Sequence, residues 1–163
     1  MPVCCFTGSR LQNLPWYGET HPRCQSLLLR LEYEIKKAID NGYRHFISGM
    51  AIGVDTYAAR AVLRLKDEQP ARGITLEAAI PCPNQDKLWS AEQKKEYARL
   101  LTLCDKHTLV SEKYSVYCYQ KRNEYMVDSS SLVIAVTDGR RGGTMNTVNY
   151  ARSKNVPVIM LAP

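Results

Sequence analysis

Residues 132–161, LVIAVTDGRRGGTMNTVNYARSKNVPVIML, decide the fold. Leu132 to Val136 is an unbroken apolar run, the pattern of a strand buried on both faces. A loop rich in glycine and arginine follows, Gly143 to Ser153 reads as a helix, and Val156 to Leu161 reads as a closing strand. Strand, helix and strand in about 30 residues make a βαβ unit, with parallel strands and a right-handed crossover.

The same alternation runs back to the N-terminus. Val3 to Phe6 is a short apolar strand ending at Gly8. Leu27, Leu28, Leu31, Ile35, Ala38 and Ile39 recur at helical spacing until Asn41-Gly42 stops them. His45 to Ile47 gives a second strand, and Val54, Ala58, Ala61, Val62 and Leu65 a second helical stripe. Ile74 to Ile80 reads as a third strand, then a helix around Trp89, Tyr97, Leu100 and Leu101, then a strand from His107 to Val110. The stretch from Tyr114 to Asp128 reads as helical in its second half. The expectation is one domain over residues 1–163, a three-layer Rossmann-like α/β fold. Its sheet is mostly parallel, of about six strands, with helices on both faces.

Composition narrows the function. The 163 residues carry a net charge of +6, spread with no like-charge block longer than two, so a dedicated nucleic-acid arm is not expected. No apolar run is long enough for a membrane span, and MPVCCFTGSR is not a leader peptide. The six cysteines form no C-x-x-C pair, and His21, His45 and His107 lack zinc-ligand spacing. Reduced, buried thiols in a cytoplasmic protein without metal are expected.

Six of the nine glycines fall in three loops, each after an apolar strand. In open α/β sheets ligands bind beyond the carboxyl ends of strands, and a helix N-terminus there favours phosphate. Thr7-Gly8-Ser9-Arg10 offers hydroxyls, a close backbone and a guanidinium suited to an oxyanion. In the second loop Ser48, Gly49, Met50 and Gly53 precede a helix, and Asp55 lies in or near its first turn. That carboxylate either complements the helix dipole or accepts hydrogen bonds from ribose hydroxyls. The third loop, Asp138 to Thr144, places Gly142, Gly143 and Thr144 at a helix start behind two arginines, a phosphate cradle by composition. None of the three is a P-loop or a G-x-G-x-x-G fingerprint, which argues against a P-loop NTPase and an ordinary NAD dehydrogenase. Arg122 and Asn123 aim at the same cleft or form a solvated pair beside Lys121. Trp16, Tyr17, Tyr114, Tyr117 and Tyr119 are candidates to stack on a base, although packing is the commoner role.

Taken in order, CFTGSR at 5–10, FISGMAIGVDTYAA at 46–59, RNEYMVDSSSLVIAV at 122–136 and GGTMNTVNYA at 142–151 resemble the SLOG superfamily. That superfamily includes the DNA-processing protein DprA and the LOG phosphoribohydrolases. The likeness is greatest to its YpsA-like branch of small bacterial and phage proteins. The resemblance implies a Rossmann-like fold that binds nucleotides or nucleotide-derived ligands at these loops, often as a homodimer. LOG enzymes carry a glutamate after P-G-G-x-G-T-x-x, and Thr147 stands at that position, while Arg122 matches their arginine. A hydroxyl cannot replace a carboxylate that stabilises oxocarbenium-like charge or activates water. Glu77, Glu112 and Glu124 are the carboxylates available to supply it from elsewhere. The expectation is therefore a sensor or sequestering protein for a nucleotide-type ligand, with no catalytic residue assigned beyond Arg122 as a candidate. A LOG-like hydrolase and a DprA-like single-strand binder are the alternatives.

Overall fold

The computed structural model describes residues 1–163. Strands β1 (Val3–Gly8), β2 (His45–Ser48), β3 (Thr75–Ile80), β4 (Lys106–Leu109), β5 (Leu132–Val136) and β6 (Val158–Leu161) alternate with helices. The helices are α1 (Pro22–Asp40), α2 (Val54–Glu68), α3 (Ala91–Leu103), α4 (Cys118–Asp128) and α5 (Gly143–Ser153). All five strand pairings are parallel, in the order β4-β3-β2-β1-β5-β6. The chain thus winds outward from β1 to β4, then returns to the far side of β1 for β5.

Two apolar layers hold the sheet. On one face Cys24, Leu27, Leu31, Ile35, Ala38 and Ile39 of α1 meet Cys4, Phe6, Phe46 and Leu76, with α2 and Leu100 of α3 completing that core. On the other face Met126 and Val127 of α4 and Val148 and Ala151 of α5 cover Cys5, Ile47, Val133 and Ala135. Burial on both faces is why these strands read as continuous apolar runs rather than as alternation. Full burial of each large aliphatic side chain contributes about 1.5–3 kcal/mol.

Element ends follow local chemistry. Pro22 opens α1 behind His21, whose Nδ1 accepts the Arg23 N–H at 3.1 Å. Ser90 and Gln93 form a reciprocal capping box at α3. That box places Trp89 ahead of the helix, not inside it as its spacing suggested. All six cysteines are free and five are buried. No helix is long and apolar enough to cross a membrane.

One buried polar cluster carries a testable consequence. Glu77 of β3 is 2% exposed, and its carboxylate meets His45 Nε2 at 2.7 Å, Thr108 Oγ1 at 2.8 Å and the Tyr125 hydroxyl at 2.5 Å. Burial pushes its pKa up, but these hydrogen bonds outweigh burial and hold it at about 2, against 4.5 when free. A folded value below the unfolded one adds stability above the unfolded pKa, and that stability disappears as pH falls through the folded pKa. Melting curves from about pH 5 to about pH 2 are expected to lose about 2 kcal/mol on this account. Glu77→Gln should flatten that acid limb, and an unchanged limb would contradict the assignment.

Candidate ligand-binding site

Pairing of Thr7 with Ala135 and Gly8 with Val136 ends β1 and β5 at the same height. From there α1 leaves toward one face of the sheet and α5 toward the other, so the two loops splay apart. This is the topological switch point of an open α/β sheet, where a crevice must form. The crevice has a volume of about 630 Å3. Thr7, Gly8, Ser9 and Arg10 line it from β1, and Thr137, Asp138, Arg140, Arg141, Gly142, Gly143 and Thr144 from β5. Asp55 and Ala51 reach it from the β2–α2 connection, and Tyr119, Arg122, Asn123 and Met126 from α4.

The crevice favours an anion. Four arginines line it against two aspartates, and Asp138 is already paired with Arg140 at 3.2 Å. Gly142 gives α5 no side-chain cap, and the first intrahelical bond runs from the Asn146 N–H to the Gly142 carbonyl at 2.9 Å. The N–H groups of Gly143, Thr144 and Met145 therefore have no acceptor in the fold. Free donors and the positive end of the helix dipole thus meet beside the arginines.

Arg122 is 3% exposed. Its Nη1 donates to the carbonyls of Gly49 at 2.7 Å and Ala79 at 3.3 Å, and its Nε donates to Asn123 Oδ1 at 2.9 Å. The fold leaves Nη2 without a partner. Burial draws the guanidinium below its ordinary pKa, Asp55 opposes this, and an arginine so placed stays charged at neutral pH. Asp55 is 7% exposed and accepts the Ala51 N–H at 3.3 Å. Burial raises its pKa, while the charge of Arg122 is the larger of the opposing influences. Asp55 makes no direct ion pair and keeps its carboxylate at the crevice wall. The Tyr119 ring centroid lies 4.9 Å from the Arg10 guanidinium carbon and 5.8 Å from that of Arg122, so both cations lie against one aromatic ring.

Thr7, Gly8, Ser9, Arg10, Asp55, Arg122, Asn123, Gly142, Gly143 and Thr144 thus share one crevice. Ser48, Gly49, Met50 and Gly53 lie outside its lining, whereas Ala51 and Asp55 of the same connection reach it. At the N-terminus of α2 the Val54 N–H donates to the Ser9 carbonyl at 3.3 Å. Ser48 braces the turn instead, donating to the Asp55 carbonyl at 2.9 Å and accepting from the Met50 N–H at 3.1 Å. Gly49 makes room for Arg122, whose guanidinium would lie 2.7 Å from an added Cβ.

The carboxylates considered as substitutes for the missing glutamate are elsewhere. Glu77 is locked in its own cluster, and neither Glu112 nor Glu124 lines the crevice. Thr147 is buried and donates its hydroxyl to the Gly143 carbonyl at 2.9 Å, turned back on its own helix. Tyr119, read from the sequence as a candidate to stack on a base with packing the commoner role, lines the crevice. Tyr119, Arg122, Asn123 and Met126 stand at i, i+3, i+4 and i+7, one face of a helix, and that spacing was the available signal.

Comparison with known proteins gives the family and the fold. The model of the YpsA family, described as the YspA SLOG family, matches residues 4–158. The uncharacterized SPbeta prophage-derived protein YoqJ of Bacillus subtilis (strain 168) is 41% identical over 138 residues, spanning 77% of this chain and 78% of that protein. Among solved structures, DNA processing protein A from Streptococcus pneumoniae superposes with TM-score 0.61 and 17% identity, covering 98% of this chain and 50% of that one. The chain therefore spans about half the length of that protein. The molybdenum cofactor binding protein from Rippkaea orientalis superposes with TM-score 0.58 and 18% identity, covering 99% of this chain and 77% of that one. At such identities the likeness concerns the fold. With the family model spanning nearly all of its length, the chain belongs to the YspA SLOG family.

Proposed function

We propose that this protein binds a nucleotide or nucleotide-derived ligand, with phosphate held between the start of α5 and the arginines of the crevice. It acts as a sensor or a sequestering protein. The observation that carries this reading is the set of unpartnered N–H groups at Gly143, Thr144 and Met145 beside Arg10, Arg122, Arg140 and Arg141. The absence of a glutamate at Thr147 supports binding over hydrolysis of the LOG type. A thermal-shift panel of nucleotides, dinucleotides and free nucleosides tests it. A ligand at 100 times its Kd is expected to stabilise the fold by about 2.7 kcal/mol. No shift with any phosphate-bearing compound at millimolar concentration contradicts the proposal.

A second reading, cleavage of an N-glycosidic bond, draws on Asp55, the crevice carboxylate that no cation neutralises directly. Incubation with nucleoside monophosphates and NAD, followed by chromatography for free base, decides between the two. Release of base that Asp55→Asn or Arg122→Ala abolishes would replace the binding reading. The arginines lie in a crevice rather than along a groove, so single-stranded DNA binding at about 50 mM salt is expected to be absent.

A further inference from the structure

A second recess of about 460 Å3 adjoins the crevice and shares Arg10, Gln12, Ala51 and Tyr119 with it. Its character is different. Where the crevice is rich in arginine, the recess is walled by Trp16, Tyr17, Ile52, Trp89 and Tyr119. Trp89 stands edge-on to Tyr97, with ring centroids 5.2 Å apart, and is only partly covered. Gln85 also lines the recess and is 8% exposed. Its Nε2 donates to the Tyr97 hydroxyl at 3.1 Å and to the Gly49 carbonyl at 3.4 Å. Its Oε1 is buried with no donor in the fold. A buried acceptor without a partner is unfavourable until a donor reaches it.

We infer that this recess is a nucleobase subsite, and that the ligand is a nucleotide running past Arg10 and Tyr119. Its base stacks against Trp89 and its phosphate enters the crevice. Flat aromatic walls suit a π-face, and an exocyclic amine or ring N–H is the donor that the Gln85 oxygen lacks. Arg10, Gln12, Ala51 and Tyr119 line both spaces, and the ligand runs along them from one to the other. The inference rests on the phosphate-binding reading above and adds the place of the base to it.

Calorimetric titration of adenosine 5′-monophosphate and ribose 5-phosphate into the wild type and Trp89→Ala tests the inference. Adenosine 5′-monophosphate is expected to bind at least about tenfold more tightly than ribose 5-phosphate, and Trp89→Ala to remove that advantage while leaving ribose 5-phosphate unchanged. Both tryptophans of the chain line the recess, so the nucleotide should quench the tryptophan fluorescence of the wild type. That signal keeps the test decisive should Trp89→Ala fold poorly. Equal affinity of the two compounds, or no quenching of the wild type at saturating nucleotide, overturns the base subsite and leaves the phosphate reading standing. If neither compound binds the wild type, the phosphate reading fails and this inference with it.

Discussion

Gly53→Ala is expected to cost the fold about 3 kcal/mol and to lower its Tm by about 6–12 °C. Gly53 has φ +112°, a conformation L side chains rarely adopt. Its added Cβ would also lie 2.7 Å from the Ser9 carbonyl oxygen and 2.9 Å from the Leu11 nitrogen, both backbone atoms that cannot rotate aside. Strain and overpacking each contribute about 1–3 kcal/mol, and here they coincide. Gly73→Ala is the control: its φ is +68°, but nothing lies within 4 Å of the added Cβ. It should cost about 1 kcal/mol. Because Gly53 also pairs with Arg10 across an antiparallel bridge, the stressed loop would carry Arg10 off Tyr119. Chemical denaturation of both variants checks this, and equal losses would contradict the packing account.

Arg122→Ala is expected to lose about 3 kcal/mol of stability and at least about tenfold in ligand affinity. It removes the donor that holds the Gly49 and Ala79 carbonyls and leaves Asp55 buried without its nearest counter-charge. Arg122→Lys should recover little, since an ammonium cannot reproduce the planar fork. The pH dependence is diagnostic. Burial already raises the Asp55 pKa, and without Arg122 it rises further. A folded pKa above the unfolded one adds stability at low pH and loses it as pH rises. The deficit of Arg122→Ala relative to wild type should therefore shrink as pH falls from neutrality toward the carboxylate range. A constant deficit would mean that the two groups do not interact.

Much of this was legible in the chain because local chemistry dictated it. The unbroken run from Leu132 to Val136 is buried at every position, and the helix from Gly143 to Ser153 begins and ends where the glycines and the apolar stripe placed it. The last strand starts at Val158 rather than Val156, since Pro157 has no N–H for the ladder. The exposed β4 starts one residue earlier than its apolar residues suggested, because an edge strand needs less hydrophobic cover. What could not be read was contact between distant residues. Nothing near Gly53 announces that the Ser9 carbonyl, 44 positions earlier, accepts the first N–H of α2. Gly142 and Gly143 resemble that loop in composition, yet no such carbonyl meets the start of α5. The two glycine loops part company only in three dimensions.

In the proposed binding mode, phosphate lies against the start of α5. The most direct test is calorimetric titration of the tightest phosphate-bearing compound from the thermal-shift panel into wild type, Gly143→Ala and Arg10→Ala. An added Cβ at Gly143 meets nothing within 4 Å and its backbone is not strained for alanine, so the variant should fold with near wild-type stability. The methyl group would occupy space the phosphate needs, weakening binding at least tenfold, or by about 1.4 kcal/mol. Arg10→Ala should weaken phosphate-bearing compounds more than free nucleosides. Unchanged affinity in both variants would contradict the account and place the ligand somewhere else on the molecule.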